Sequence, residues 1–236
     1  MSALRRVPDA SAGLALEAGL FSAGEPGVLL WAAETTSLVC PEAYTRRSDF
    51  DEASRRSADR GWLVSHRPTG GGVVPQGPGV LNVAIAFTAG PGFTIEDGYR
   101  LITRPIQSCF ERADLPITTG ATPGSFCDGR WNLSVAGRKI VGTAQRWRPI
   151  REGKIRILAH ALILTHGQID PGATAVQAFH RDLGLACDIR TDAHTTLEMA
   201  LGFRPSEFNH LARALHAAAS QELTGTGSSQ GDKAAA

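Results

Sequence analysis

Two residues stand out as a pair whose types and spacing point to covalent chemistry, Cys127 and Lys139. Cys127 lies in the loop-like stretch Gly124-Ser-Phe-Cys-Asp-Gly129, directly before a segment with strand character. A thiol on a loop carried by a rigid sheet is reachable. Its thiolate is a strong nucleophile once nearby positive charge lowers its proton affinity. Ala136-Gly137 reads as a hairpin turn, which would return Lys139 toward Cys127. The chain has 21 Arg and 3 Lys, the latter being Lys139, Lys154 and Lys233. A lysine kept beside Arg138 in so arginine-rich a chain points to a compact ammonium in place of a planar guanidinium. Taken singly, each residue also has a plain reading: a cysteine packed as a small hydrophobe, and a solvated hairpin charge.

A second chemical segment is His66-Arg-Pro-Thr-Gly-Gly-Gly-Val-Val-Pro-Gln-Gly-Pro-Gly-Val-Leu-Asn82. Gly70, Gly71 and Gly72 let backbone N–H groups approach a ligand with no Cβ in the way. Arg67, at the mouth of this loop, can add charge-assisted hydrogen bonds. No Lys-Ser/Thr follows the glycines, so the loop is not a Walker A segment. A strand follows them where a dinucleotide fingerprint needs a helix. The bland reading is a glycine bulge between two strands.

The stretch from Arg138 to Arg156 carries seven basic residues against one acid, Glu152. Such a face can steer an acidic partner, or it can simply be solvated. His66, His160 and His166 lack a third ligand at convincing spacing, so no metal site is expected. Cys40, Cys109, Cys127 and Cys187 form no CxxC pair and read as reduced thiols, which suits a cytoplasmic protein. A net charge of +1 calls for neither DNA nor a membrane surface. The N-terminal residues lack the apolar run of a signal peptide, and no apolar run is long enough to span a bilayer.

The elements that must position these groups follow from periodicity. Strands are expected at residues 27–33, 62–65, 80–87, 131–135, 140–147 and 155–164. Helices are expected at residues 9–23, within 46–60, at 95–110 and at 173–183. Two more are expected, one from Thr195 with a Thr195/Glu198 capping box and one from near Ser206. Thr118 to Gly129 reads as loop, and residues 224–236 as a disordered tail after one catalytic domain over 1–223. Hairpin-linked strands flanked by helices give an α+β (mixed α/β) domain with a largely antiparallel sheet, and a doubly wound nucleotide fold is not expected.

Together these segments resemble the lipoate-protein ligase A/B family, whose catalytic domain is similar to those of class II synthetases and biotin ligases. The segment from Arg67 to Asn82 resembles the family's Arg-x-Ser/Thr-Gly-Gly-Gly stretch with its downstream Leu-Asn. The segment from Gly129 to Trp147 resembles the stretch holding the central lysine. The string from Ser125 to Lys139 resembles the octanoyl/lipoyl amidotransferase branch, with Cys127 two residues before Gly129 and twelve before Lys139. The resemblance implies a lipoyl or octanoyl acyltransferase with catalytic Cys127 and Lys139. It implies substrate-binding roles for Arg67, Gly70, Gly71, Gly72, Asn82, Gly142, Thr143 and Ala144. The implied partners are lipoyl-carrier domains as acyl donor and acceptor, with no cofactor. Gly129-Arg-Trp-Asn132 also resembles the Gly-Arg-Asn-Asp segment of the ligases. That keeps open an ATP- and Mg-dependent lipoate ligase, in which Lys139 and the glycine loop hold an acyl-adenylate. A non-catalytic acyl- or carrier-binding relative is the reading from another class.

Overall fold

A computed structural model describes residues 3–233, with side-chain surroundings through residue 225. From the amino end come β1 (Leu4–Val7), α1 (Ala10–Ser22), β2 (Gly27–Ala33), β3 (Ser37–Pro41), α2 (Phe50–Asp59), β4 (Leu63–Arg67), β5 (Val74–Gln76) and β6 (Val80–Ala89). Then follow α3 (Ile95–Glu111), β7 (Thr118–Thr119), β8 (Leu133–Val135), β9 (Arg138–Pro149), β10 (Ile155–Leu164), α4 (Asp170–Asp182), α5 (Leu197–Leu201) and α6 (Phe208–Lys233).

The main sheet has seven strands in the order β1-β2-β6-β10-β9-β8-β7. All its pairs are antiparallel except β1 with β2. A small sheet, β4-β3-β5, lies apart from it. The expected α+β class with a largely antiparallel sheet is what the chain forms. β6 and β10 are apolar on both faces because both faces are covered. Leu81, Val83, Ile85, Ile157, Ala159 and Ile163 pack with Ile102, Ile106 and Phe110 of α3 and with Ala212 and Leu215 of α6. On the other face, Ala84, Ala86 and Leu158 receive Phe21 of α1. Trp31 of β2 joins a second core with the small sheet and α4. A cleft opens on this second face, between the main sheet, the small sheet and α1.

Several local expectations need correction. β1, β3 and β5 lie in segments with no predicted strand, and β7 lies in the predicted loop. Two to five residues give too short a periodic signal, and these strands exist because a neighbour offers a hydrogen-bonding edge. The cap of α5 is Thr196, whose side chain accepts from Met199 N, so the Thr195/Glu198 capping box is not formed. Thr195 N instead donates to the Lys139 carbonyl. α6 continues to Lys233, past the start of the expected unstructured tail at Thr224, and residues 234–236 lie outside the described residues. The hairpin turn at Ala136-Gly137 forms as expected, with φ of +48° and +72°.

Candidate active site

Cys127 sits on a sharp loop with φ +49°, a left-handed conformation that a side-chain-bearing residue adopts only when its surroundings hold it there. Three neighbours supply that hold. Asn132 Nδ2 donates to the Cys127 carbonyl at 3.1 Å, while its Oδ1 accepts from Thr143 N at 3.3 Å. Phe126 N donates to His194 Nε2 at 2.8 Å. The His194 ring lies against that of Phe126, with centroids 3.9 Å apart. His194 is therefore neutral, with Nδ1–H donating to the Arg190 carbonyl at 3.0 Å. Burial, helped by the charge of Lys139, pushes its pKa down to about 4.

The third neighbour is Lys139, which is 1% exposed. The hairpin brings it back beneath the cysteine loop. Nζ donates to the Phe126 carbonyl and, at 3.0 Å, to the Cys127 carbonyl. Burial lowers its pKa to about 8, against the opposing charges of Cys127 and Asp128. An ammonium has three N–H donors. Two are engaged, which leaves one for a ligand in the cleft.

The glycine loop closes over Cys127 from the opposite side. A Cβ on Gly71 would fall 2.2 Å from Cys127 Sγ, and one on Gly72 would lie 3.3 Å from Cys127 Cα. Gly71 also has φ +99°. Glycine is required at Gly71 on both counts, whereas a Cβ on Gly70 meets nothing within 4 Å. Among the described residues, no acceptor takes the N–H groups of Gly70, Gly71 or Gly72. Arg67 is not at the loop's mouth but 4% exposed beneath it. It donates to the carbonyls of Val39 at 3.0 Å, Gly70 at 3.0 Å and Gly72 at 2.8 Å, and Nη2 lies 3.9 Å from Cys127 Sγ. Its charge thus locks the loop and faces the thiol. Cys40 is buried nearby, and burial raises its pKa to about 11, so it stays an inert thiol.

Arg67, Cys127 and Lys139 border one cleft, walled by Leu14, Trp31, Val39, Val74, Ala161 and Leu162 and by Gly142, Thr143 and Ala144 of β9. Gly142 keeps space beside the Lys139 ammonium, since a Cβ there would lie 3.2 Å from Nζ. Asn82 also borders the cleft, but its amide is paired with Gln76 in both directions, at 2.8 and 3.0 Å. One wall is polar. Glu17 accepts from Trp31 Nε1 at 2.9 Å and pairs with His160 Nδ1 at 2.9 Å, and His160 Nε2 lies 3.2 Å from Thr69 Oγ1. Sequence reasoning missed Glu17 and His194, weighed His160 solely as a metal ligand, and placed Asn132 only within the ligase-like segment. Among the described residues, no group of three or more His, Cys, Asp or Glu is arranged to hold a metal.

Residues 37–202 match the model of the lipoyl protein ligase A/B catalytic domain. The chain belongs to that family. An uncharacterized protein of Cupriavidus necator is 35% identical to it over 192 residues, 72% of this chain and 76% of the relative. The octanoyl-GcvH:protein N-octanoyltransferase of Kyrpidia tusciae is 30% identical over 189 residues, 76% of this chain. That alignment spans 64% of the transferase's own length, and the one with its Exiguobacterium counterpart spans 45%. A lipoate protein ligase from T. acidophilum with bound lipoic acid shares the fold, with TM-score 0.68, 18% identity and coverage of 93% of this chain and 83% of that one. Lipoate-protein ligase A bound with ATP aligns with TM-score 0.65 at 18% identity, covering 94% and 84%. As a lipoyl protein ligase A/B domain, the chain places its Gly-rich segment and its lysine hairpin on either side of Cys127. No helix among the described residues is long and apolar enough to cross a membrane.

Proposed function

We propose that this protein is an acyltransferase that carries an octanoyl or lipoyl group on Cys127 and hands it to a lysine of a lipoyl-carrier domain. One observation carries the reading. The buried ammonium of Lys139 is pinned under the Cys127 loop by the Phe126 and Cys127 carbonyls, and both side chains border the same largely apolar cleft. The curated relatives named as octanoyl-GcvH:protein N-octanoyltransferases point the same way.

In the mechanism, the acyl chain lies against Leu14, Trp31, Val39, Val74 and Leu162, and its carbonyl carbon meets Cys127 Sγ. The sulfur attacks, and negative charge builds on the acyl oxygen. The remaining N–H of Lys139 and the unpaired N–H groups of the glycine loop meet that charge. Collapse breaks the carbon–nitrogen bond and expels the donor's amine, which takes up the proton given up by the Cys127 thiol, and leaves a thioester. The lysine of a second carrier then attacks the thioester. Two lower barriers replace one high one. Arg67 supplies fixed positive charge near the sulfur and holds the glycine carbonyls away from it. Asn82, with its amide spent on Gln76, shapes the cleft wall. The reading takes residues 1–223 as one catalytic unit and needs no cofactor. A cytoplasmic setting goes with it, since Cys127 must stay reduced.

The ATP-dependent alternative has less support from the donor set. The ligase-like segment carries Trp131 and Asn132 in place of Asn-Asp. Asn132 is committed to Cys127 and Thr143, and Asp128 Oδ1 accepts from Thr122 N at 2.6 Å. With these side chains so engaged, the segment lends less support to a metal-phosphate role than to the thioester reading.

Intact-mass spectrometry decides between the readings. Protein mixed with octanoylated carrier and no ATP should gain one acyl group, removable by hydroxylamine and absent in Cys127→Ser. No gain without ATP, with acceptor modification once ATP, magnesium and free lipoate are supplied, would establish the ligase instead.

A further inference from the structure

A second pocket lies beside the segment that follows Cys127. It is lined by Ile95 and Tyr99 of α3 and by the segment from Gly129 to Asn132, with Thr143 of β9 at its base. Thr143 borders the acyl cleft as well, so this residue separates two spaces. The pocket base is tied to the catalytic loop. Asn132 bonds the Cys127 carbonyl, and Thr143 Oγ1 donates to the Trp131 carbonyl at 2.9 Å. The rings of Tyr99 and Trp131 stack with centroids 5.3 Å apart and planes within 6°. Ile95, 55% exposed, stands at the rim with Arg130, which has no carboxylate partner among the described residues. None of the chemistry derived so far uses this pocket.

Geometry restricts how an incoming amine meets an acyl group on Cys127. The acyl chain fills the apolar cleft. Gly71 and Gly72 cover the sulfur on one side, and Lys139 holds the loop from beneath. Asn132, which bonds the Cys127 carbonyl, and Thr143, which borders both spaces, link the cysteine to the second pocket. We propose that the pocket walled by Tyr99 and Trp131 is the passage through which a carrier-domain lysine reaches, and leaves, the acyl-Cys127 carbonyl. The inference rests on the thioester reading above.

The chemistry of the walls fits that guest. A lysine side chain is a four-carbon apolar stem with a polar tip, and flat aromatic faces bury such a stem. Arg130 at the rim disfavours a second positive charge, so the neutral amine, which is the nucleophile, is favoured inside. The free guanidinium also offers a partner to an acidic residue beside the target lysine. In the transfer step the lysine nitrogen forms a bond to the thioester carbon and the carbon–sulfur bond breaks. The proton lost by nitrogen passes to the departing Cys127 thiolate. With an acyl-lysine donor the same steps run backwards, so donor and acceptor share one route.

The test separates the two routes. A small thioester, octanoyl-N-acetylcysteamine, acylates Cys127 without using any lysine. Trp131→Ala and Ile95→Arg should accept the octanoyl group from it at the wild-type rate. Each should then pass it to an added lipoyl domain at least tenfold more slowly. Acylation by an octanoyl-lysine carrier should fall by the same factor, and Trp131→Phe should restore most of both. Ile95→Arg changes an exposed rim residue, so it decides the matter should Trp131→Ala fail to fold. Wild-type transfer rates in Ile95→Arg, with Trp131→Ala equally unaffected or unfolded, would overturn the proposal. If the wild-type enzyme never gains the acyl group, the thioester reading itself falls, and that is seen before any variant is made.

Discussion

Gly71 offers a direct test of the site's geometry. Alanine there would place its Cβ 2.2 Å from Cys127 Sγ, against the 3.4 Å at which ordinary contact begins, so the sulfur must retreat by about 1.2 Å. The loop cannot yield easily, because Arg67 holds the carbonyls of Gly70 and Gly72 on either side. A misplacement of about 1 Å costs on the order of 100-fold in rate when reacting atoms must be near contact. The backbone adds to this. A φ of +99° is open to glycine, and a residue with Cβ held there costs about 1–3 kcal/mol of stability. Gly70→Ala is the matched control, because its Cβ meets nothing within 4 Å. The assay is the single-turnover rate of acyl-Cys127 formation, normalised to folded protein by urea denaturation. Gly71→Ala should lose about 100-fold while Gly70→Ala stays within about twofold. A Gly71→Ala enzyme that acylates at the wild-type rate would refute the claim that the loop sets the sulfur's position.

Other expectations follow from buried charge. Burial lowers the Lys139 pKa to about 8, so its ammonium is present below that pH and lost above it. Acyl transfer should therefore decline as pH rises past 8, a descending limb that a stopped-flow pH profile would show and Lys139→Met would lack. The same shift has a stability sign. Between pH 8 and 10.5 the unfolded chain binds this proton and the folded chain does not, so wild type should gain about 3 kcal/mol relative to Lys139→Met over that window. Equal pH dependence of the two proteins in urea titrations would count against a buried ammonium. Arg156, 1% exposed, donates to the carbonyls of Leu20, Phe21, Gly24 and Glu25 at 2.8–2.9 Å, and so clamps the end of α1. Arg156→Ala should cost about 3–5 kcal/mol by leaving those acceptors without donors, and a loss under about 1 kcal/mol would contradict this. Glu17→Gln should loosen the Thr69 end of the glycine loop through His160, read as faster amide hydrogen exchange at residues 69–72 with Cys127 alkylation still possible.

The sequence alone determined what is local. Cys127, Gly129 and Lys139 lie within thirteen residues, and one hairpin turn suffices to bring the lysine back beneath the thiol. Three adjacent glycines need no tertiary information to announce a close approach. The apolar runs of β2 and β10 fix their own ends because charge or turn residues bound them, whereas β6 runs two residues past its expected end to Ala89, held by its pairing with β10. What only the tertiary structure decided comes from far along the chain. His194 reaches Phe126 from 68 residues away, and Glu17 reaches His160 from 143. Neither carries a spacing signal, since a buried polar residue is recognisable only once its partner is placed beside it. Arg67 changed its part for the same reason: basic and next to glycines, it reads as a ligand donor, yet folding spends its guanidinium on three carbonyls. Strands as short as β3, β5 and β7 were hidden too, because they are held by the edge they join and not by their own pattern.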